Sequence, residues 1–166
     1  KTENLTNAIA LKAEMERRGH TVVMTRTEDI ELAAELGPDL ERRCQIANDA
    51  GCDCFVSLHE NGYHDPDAHG TETIHGTNAS AKSKQWAQDC LDRLCMATGM
   101  RKREVITQGI TVLVRTDMPA ILVEFGFMTN VGDMTTIRND RAAFISAIAD
   151  SAEAMFGVGN AASKPA

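Results

Sequence analysis

Two polar side chains occupy positions where the surrounding sequence is apolar. His59 directly follows the strand-like stretch 53–58, and Asn61 lies two positions further on. Glu124 follows four apolar residues in the segment 120–126, Ala-Ile-Leu-Val-Glu-Phe-Gly. An ionised carboxylate in such a segment is disfavoured unless it has a hydrogen-bond partner, a cation or a raised pKa. A histidine that binds a metal and a nearby carboxylate that accepts a proton from water are the groups that metal-assisted hydrolysis requires.

Each of the two residues also has a structural interpretation. For His59 the alternative is a hydrogen-bonded histidine at a strand edge, and for Glu124 it is an ion pair with Arg115 or Arg103. Ligands of open α/β sheets bind beyond the carboxyl ends of the strands. Because both residues lie near the end of a strand, the sequence favours the chemical interpretation when they are considered together.

Hydrophobic periodicity predicts the elements that carry these residues. Apolar residues at helical spacing predict helices over 5–18, 40–50, 81–98 and 141–155. Runs of β-branched and other apolar residues predict strands over 21–26, 53–59, 71–75, 110–114 and 120–125. Strands that alternate with helices indicate an α/β fold, with a mixed, mostly parallel sheet and helices on both of its faces. We expect one domain over 1–157 and a flexible tail over 158–166.

Composition narrows the range of partners. The chain has 166 residues and a formal net charge of −7, which argues against binding nucleic acid or an anionic membrane by bulk electrostatics. No apolar run approaches the roughly 20 residues of a membrane span, and no glycine-rich phosphate loop follows a strand. The five cysteines, an odd number, favour reduced core thiols over a disulfide framework. We therefore expect a monomer that neither binds nucleic acid nor inserts into a membrane.

Three segments of the sequence resemble the zinc-dependent N-acetylmuramoyl-L-alanine amidases of the Amidase_3 type. The segments are 57–61 (SLHEN), 70–73 (GTET) and 115–130 (RTDMPAILVEFGFMTN), and the likeness extends over about 4–156. The resemblance implies a peptidoglycan hydrolase in which zinc-activated water cleaves the amide between N-acetylmuramic acid and L-alanine of the stem peptide. It also implies action at the bacterial cell wall, either by a periplasmic or extracellular enzyme or by a phage lysin.

The same resemblance implies roles for individual residues. His59 matches a zinc ligand and Glu124 matches the catalytic glutamate. Asn61 is expected to contact the substrate or to shape its own loop. Arg115 is expected to hold a carboxylate of the peptide or to orient Glu124, with a plain surface arginine as the alternative.

Part of the family's pattern is not found in this sequence. The resemblance implies a first zinc histidine in a Gly-His-x-Gly-like turn after an N-terminal strand, and we expect this chain to lack both. The family's glutamate ligand is Glu3 if Asn7 is aligned with a family asparagine, and it falls ahead of Lys1 if Asn4 is aligned instead. Loop histidines are candidate substitutes for the missing ligands: His64, His69 and His75. Because a catalytic zinc site normally has three protein ligands, the alternative function is a non-catalytic relative that binds peptidoglycan.

Overall fold

The computed structural model describes residues 1–157. Six helices are present within this range: α1 (Thr2–Arg17), α2 (Leu36–Asp49), α3 (Ala81–Thr98), α4 (Thr111–Val114), α5 (Val131–Asn139) and α6 (Arg141–Phe156). Four strands lie between α2 and α5 along the chain: β1 (Phe55–Asn61), β2 (Thr71–His75), β3 (Lys102–Thr107) and β4 (Ala120–Phe127). The predicted α/β class is therefore confirmed.

The four strands form one mixed sheet in the order β1-β4-β2-β3. β1 pairs with β4 in parallel, β2 pairs with β3 in parallel, and β2 pairs with β4 in the antiparallel direction. Two of the three pairings are parallel, as the near-continuous apolar strands predicted. β4 lies inside the sheet, between β1 and β2, and all but one of its residues are buried. That one residue is Glu124.

Helices cover both faces of the sheet and give the domain two hydrophobic clusters. The larger cluster lies under α1, α3 and α6 and contains the fully buried Trp86, Phe125 and Phe144. The smaller cluster lies under α2 and α4 and contains Cys44 and Leu122. Successive residues of a strand point to opposite faces, so Glu124 shares the face of Leu122. α2 and α4 cover the amino-terminal half of that face, and the carboxylate lies beyond them.

The strand predicted over 110–114 is wrong, because residues 111–114 form the single-turn helix α4. Val112 and Leu113 are adjacent in sequence and both are about 4% exposed. A strand would turn one of the two toward each face of the sheet, whereas a helical turn packs both against the smaller cluster.

The strand predicted over 21–26 is also wrong. The segment is rich in β-branched residues, but it pairs with no strand among residues 1–157. A strand is stabilised by the ladder of hydrogen bonds and by cross-strand side-chain contacts. In agreement with this lack of pairing, Val23 remains 44% exposed.

Two elements were not predicted. β3 begins with the charged run Lys102, Arg103 and Glu104, which is typical of an edge strand but hides the apolar alternation. α5 begins at the N-cap Asn130, whose side chain accepts a hydrogen bond from the backbone N–H of Asp133. The Asn-x-x-Asp spacing is the sequence signal that could have identified this helix.

The bounds of α3 and α6 agree closely with the prediction, whereas α2 begins four residues early. α3 covers the predicted range, with Ser80 as N-cap and Gly99 in the left-handed conformation at its end. α2 begins at Leu36, earlier than predicted, so that Asp39 lies inside the helix and binds Arg43. Cys44, Cys54, Cys90 and Cys95 are free thiols. Among the described residues, no helix is long and apolar enough to cross a membrane. The tail predicted over 158–166 lies outside the described residues.

Candidate active site

The strand register brings His59 and Glu124 side by side. His59 on β1 is the direct partner of Glu124 on β4 in the parallel pair. On the other side of β4, Glu72 on β2 is the direct partner of Glu124 in the antiparallel pair. Direct partners on adjacent strands project from the same face of the sheet with Cβ atoms about 5 Å apart. The two residues that the sequence singled out therefore share one site, and a second carboxylate joins them.

The Glu124 side chain is partly buried and has no cationic partner among the described residues. Its Oε2 atom is buried and makes no hydrogen bond to any described residue. Burial, followed by the negative charges of Glu72 and Glu60, raises the pKa of Glu124 to about 8. The ion pair considered for Glu124 does not form, because Arg103 binds Glu72 and Arg115 binds Glu41. Glu124 is thus an acid that exchanges its proton close to neutral pH.

Glu72 is held in place by the strands on either side of it. It is 3% exposed, and its two oxygens accept hydrogen bonds from Arg103 Nε and from Asn61 Nδ2, the latter at 3.2 Å. The other end of the Asn61 side chain accepts a hydrogen bond from the backbone N–H of Gly62 at 2.8 Å. Asn61 therefore both shapes the loop that follows β1 and borders the site, and both possibilities raised from the sequence remain compatible with this position.

His59 has an exposed side chain on a strand whose neighbours Leu58 and Glu60 are buried. The surrounding protein removes part of the water around the imidazole, and this desolvation is the main cause that lowers the pKa of His59. The positive charges of Arg43 and of the Lys1 α-amino group lower it further. A lowered pKa keeps the imidazole neutral, which is the protonation state that binds metal ions.

Glu3 on α1 lies in an ion-pair network with arginines of α5 and α6. Its carboxylate binds Arg141 and also faces Arg138 at 3.5 Å. Arg141 in turn donates to the Asn7 side chain at 2.8 Å, and Asn7 donates to Glu60 at 3.0 Å. Burial and, next, the charge of Glu3 raise the pKa of Glu60. In this conformation the contacts of Glu3 are with arginines, and its role as a metal ligand stays a prediction.

Arg115 lies at the opposite end of β4 from the site. It follows α4, is exposed, and pairs with Glu41 of α2. Its backbone carbonyl accepts a hydrogen bond from Asn48 at 3.1 Å. Ala120 and Glu124 are four positions apart on β4, a distance of about 13 Å at the usual rise of a strand. The structure therefore does not bring Arg115 together with Glu124, and its predicted contact with substrate stays a prediction.

The ends of the strands that carry the site are fixed by one buried carboxylate. Asp133 Oδ2 accepts hydrogen bonds from the backbone N–H groups of Gly70 at 2.9 Å and Phe127 at 2.8 Å. Gly70 has φ +109°, and a Cβ there would lie 2.5 Å from the carbonyl oxygen of Arg101. Only glycine fits this position, which orders the start of β2 just ahead of Glu72.

The described residues include side-chain types that bind zinc, but too few of them are grouped together to form a zinc site. His59 provides an accessible imidazole beside a carboxylate that lacks a partner, which suits a metal-dependent hydrolase. Within residues 1–157, however, no group of three or more His, Cys, Asp or Glu side chains is arranged to hold a metal ion. The substitute histidines make other contacts: the His64 ring lies against the Tyr63 ring, His69 contacts the Asp67 carbonyl, and His75 contacts Gly76 and Thr107.

Comparison with known proteins identifies the family. The model of the Amidase_3 family, N-acetylmuramoyl-L-alanine amidase, matches residues 1–154. The chain belongs to this family. Members of the family are generally zinc-dependent. The homologues and structural neighbours of this chain are N-acetylmuramoyl-L-alanine amidases, which are peptidoglycan hydrolases.

Individual relatives of this amidase-family chain support the assignment. The chain is 30% identical over 139 residues to the N-acetylmuramoyl-L-alanine amidase LytC of Bacillus subtilis. The aligned region covers 83% of this chain and 27% of LytC. The catalytic domain of CwlV from Paenibacillus polymyxa superposes with a TM-score of 0.83 and 28% identity, over 95% of this chain and 84% of that one. An N-acetylmuramoyl-L-alanine amidase from Clostridium difficile superposes with a TM-score of 0.84 and 27% identity, over 92% of this chain and 81% of that one. The chain thus spans about a quarter of the length of LytC.

Sequence reasoning did not assign Glu72 to the site, and it considered Arg103 only as an ion-pair partner of Glu124. The available signal was a carboxylate in the middle of Thr-Glu-Thr-Ile-His, a strand in which all five residues are buried. A buried carboxylate requires a partner, and the charged start of β3 provides it. Which of the three charges there would face Glu72 depended on the strand register, which the sequence did not reveal.

Proposed function

We propose that this chain hydrolyses the amide bond between the lactyl group of N-acetylmuramic acid and L-alanine of the peptidoglycan stem peptide. The observation that carries the proposal is the enclosed Glu124 carboxylate, which has an oxygen without a partner and lies directly beside His59. Membership of the amidase family supports the same reaction.

In this proposal Glu124 is the catalytic residue that moves protons. It accepts a proton from the attacking water and then transfers it to the nitrogen of the leaving alanine. A pKa of about 8 suits both steps, since neither protonation state is then far out of reach at neutral pH. A partner arginine would hold Glu124 permanently ionised, and none of the described residues plays that part.

His59 is the proposed zinc ligand, and Glu3 is the second candidate. Zn²⁺, when bound, supplies Lewis-acid polarisation of the amide carbonyl and of water. A neutral imidazole at the end of β1 suits this role. For Glu3 to join His59, its carboxylate would have to exchange Arg141 and Arg138 for the metal.

The remaining assignments concern substrate and setting. Asn61 is the proposed substrate contact, because it donates a hydrogen bond to Glu72, the register partner of Glu124, and begins the loop that follows β1. The proposed place of action is the bacterial cell wall, where curated relatives such as the probable cell wall amidase LytH of Staphylococcus aureus act according to their names. A periplasmic or extracellular enzyme and a phage lysin are both compatible with that place, and we expect the chain to work as a monomer.

The test is hydrolysis of purified peptidoglycan with added zinc, followed by labelling of newly exposed alanine amino groups and by mass spectrometry of the products. We expect the wild-type chain to release stem peptides with amino-terminal L-alanine. Glu124→Gln should keep the fold and the zinc content but release none, because it removes the proton acceptor and preserves the shape. Glu104→Gln, an exposed carboxylate on β3, is the matched control. Hydrolysis by Glu124→Gln at the wild-type rate would refute the assigned role.

A non-catalytic relative that binds peptidoglycan is the second candidate function. The observation in its favour is that the described residues lack a group of three metal ligands. It predicts that the wild-type chain sediments with peptidoglycan and releases no stem peptide even with zinc present. Zinc bound at one ion per chain, together with product release, would reject it.

A further inference from the structure

One residue from each of the four strands contributes to a continuous row across the sheet. In strand order the row consists of His59, Glu124, Glu72 and Arg103. The first three are direct partners in the strand register. Between the pairs Thr71↔Lys102 and Thr73↔Val105 the register of β2 and β3 shifts, and Arg103 reaches Glu72 there through its Nε atom. The row thus places a guanidinium two strands away from the proton-transferring carboxylate.

The contacts of Arg103 orient its side chain but leave some of its N–H donors available. Its guanidinium lies 4.9 Å from the ring centroid of Phe127, and one Nη atom faces the His69 carbonyl at a long 3.5 Å. Its stem lies against Gly70, where a Cβ would come within 3.1 Å of Arg103 Cγ. The side chain nevertheless remains 30% exposed. An arginine presents five N–H donors, so the Nη end can bind a second anion while Nε holds Glu72.

The spacing of the row matches the chemistry of a stem peptide. Adjacent strands lie about 4.8 Å apart, so Arg103 and Glu124 are separated by about 10 Å at the backbone. Two extended peptide residues span about 7 Å, and the arginine side chain bridges the remainder. A carboxylate on the second residue of the stem peptide therefore reaches the Arg103 guanidinium when the first amide lies at Glu124.

We propose that Arg103 is a substrate-binding residue that takes the free carboxylate on the second residue of the stem peptide, and that Glu72 is the positioning residue that aims it. The proposal rests on the proposed hydrolysis of the muramoyl–alanine amide. Without Arg103, the Glu72 carboxylate would leave this face negative and repel an anionic peptide. The Nη end of Arg103 supplies the compensating donors, in the bidentate geometry that arginine offers to carboxylates.

The test uses two soluble muramoyl-tripeptides that differ only in the α-position of the second residue, a carboxylate in one and a carboxamide in the other. We expect the wild-type chain to prefer the carboxylate form in kcat/KM by about 10- to 100-fold, the usual range for a charge-assisted pair. Arg103→Gln should remove this preference, mainly through a higher KM for the carboxylate form. Lys102→Gln is the matched control, because it lies next to Arg103 on β3 and pairs with Asp92 of α3. A preference that survives in Arg103→Gln would overturn the proposal.

Two further measurements distinguish a failure of the Arg103 proposal from structural damage in the variant and from a failure of the proposed hydrolysis. Arg103→Gln leaves Glu72 buried without its cation, so the double variant Arg103→Gln/Glu72→Gln replaces the pair by two neutral side chains of similar shape. It should also lose the preference, and retention there would count equally against the proposal. Binding of the two released tripeptides to the inactive Glu124→Gln chain, measured by calorimetry, needs no hydrolysis. An Arg103-dependent carboxylate preference in binding, with no hydrolysis by the wild type, would uphold this inference while refuting the proposed function.

Discussion

Replacing Glu124 by glutamine should stabilise the metal-free protein at alkaline pH while it removes the proposed proton acceptor. The folded chain partly buries this carboxylate opposite Glu72 and leaves its Oε2 atom without a hydrogen bond to the described residues. The pKa of Glu124 accordingly rises from an ordinary value of 4.5 to about 8. Glutamine has nearly the same shape and carries no charge, so the comparison isolates the cost of ionising this side chain.

The sign of the effect follows from proton linkage. Between pH 4.5 and about 8 the folded state keeps the proton on Glu124 while the unfolded state loses it, so the folded state binds more protons. The stability of the wild-type protein therefore falls as the pH rises through this window, and the loss is complete above about pH 8. The two pKa values set a ceiling of about 5 kcal/mol. Because Glu124 is only partly buried, we expect about 2 to 4 kcal/mol.

The assay is denaturant unfolding of EDTA-treated wild type and Glu124→Gln at pH 4.5 and pH 9. The free energies of unfolding should be nearly equal at pH 4.5, and the variant should be more stable by the stated amount at pH 9. Glu104→Gln, at an exposed position of β3, should show no such pH-dependent gain. A constant difference at the two pH values, or a variant that is less stable at pH 9, would refute this account of Glu124.

Three further substitutions test the scaffold and the metal site. Asp133→Ala removes the acceptor of two buried backbone N–H groups and should cost about 2 to 4 kcal/mol in unfolding free energy, measured by denaturant titration; a loss below 1 kcal/mol would contradict the role of this carboxylate. Asn7→Ala breaks the bridge from Arg141 to Glu60 and should cost about 2 kcal/mol; an unchanged midpoint of unfolding would show that the bridge contributes nothing. His59→Ala should lower the zinc content per chain after dialysis, measured by atomic absorption, and an unchanged stoichiometry would remove His59 from the ligand set.

The sequence was sufficient to locate the principal chemical groups, because their anomaly is local. A histidine and a carboxylate in apolar strands are visible without any knowledge of the fold, and His59 and Glu124 proved to be direct neighbours. The same local signals, a helical period and terminal capping residues, gave the full extent of α3.

What the sequence did not reveal depends on pairing between distant segments. Residues 21–26 have the composition of a strand but no hydrogen-bonded neighbour among the described residues, and composition alone cannot supply one. Glu72 and Arg103 are separated by 31 positions, and a shift in the register of β2 and β3 decides that Arg103 is the partner. A slip of one residue would place a different side chain on the site face.

The pairing of the arginines explains how Glu124 remains available as a base. Arg103 and Arg115 were the two cations considered as its partners, and each is held by another carboxylate, Glu72 and Glu41 respectively. An arginine bound to Glu124 would lower its pKa and block access to its oxygens. By binding Arg103, Glu72 keeps that cation on the far side of β2 and adds negative charge next to Glu124. The Glu72–Arg103 ion pair links β2 to β3, and Glu124 retains a high proton affinity. Ionising the unpaired Glu124 carboxylate lowers the free energy of unfolding, and the comparison with Glu124→Gln measures this loss.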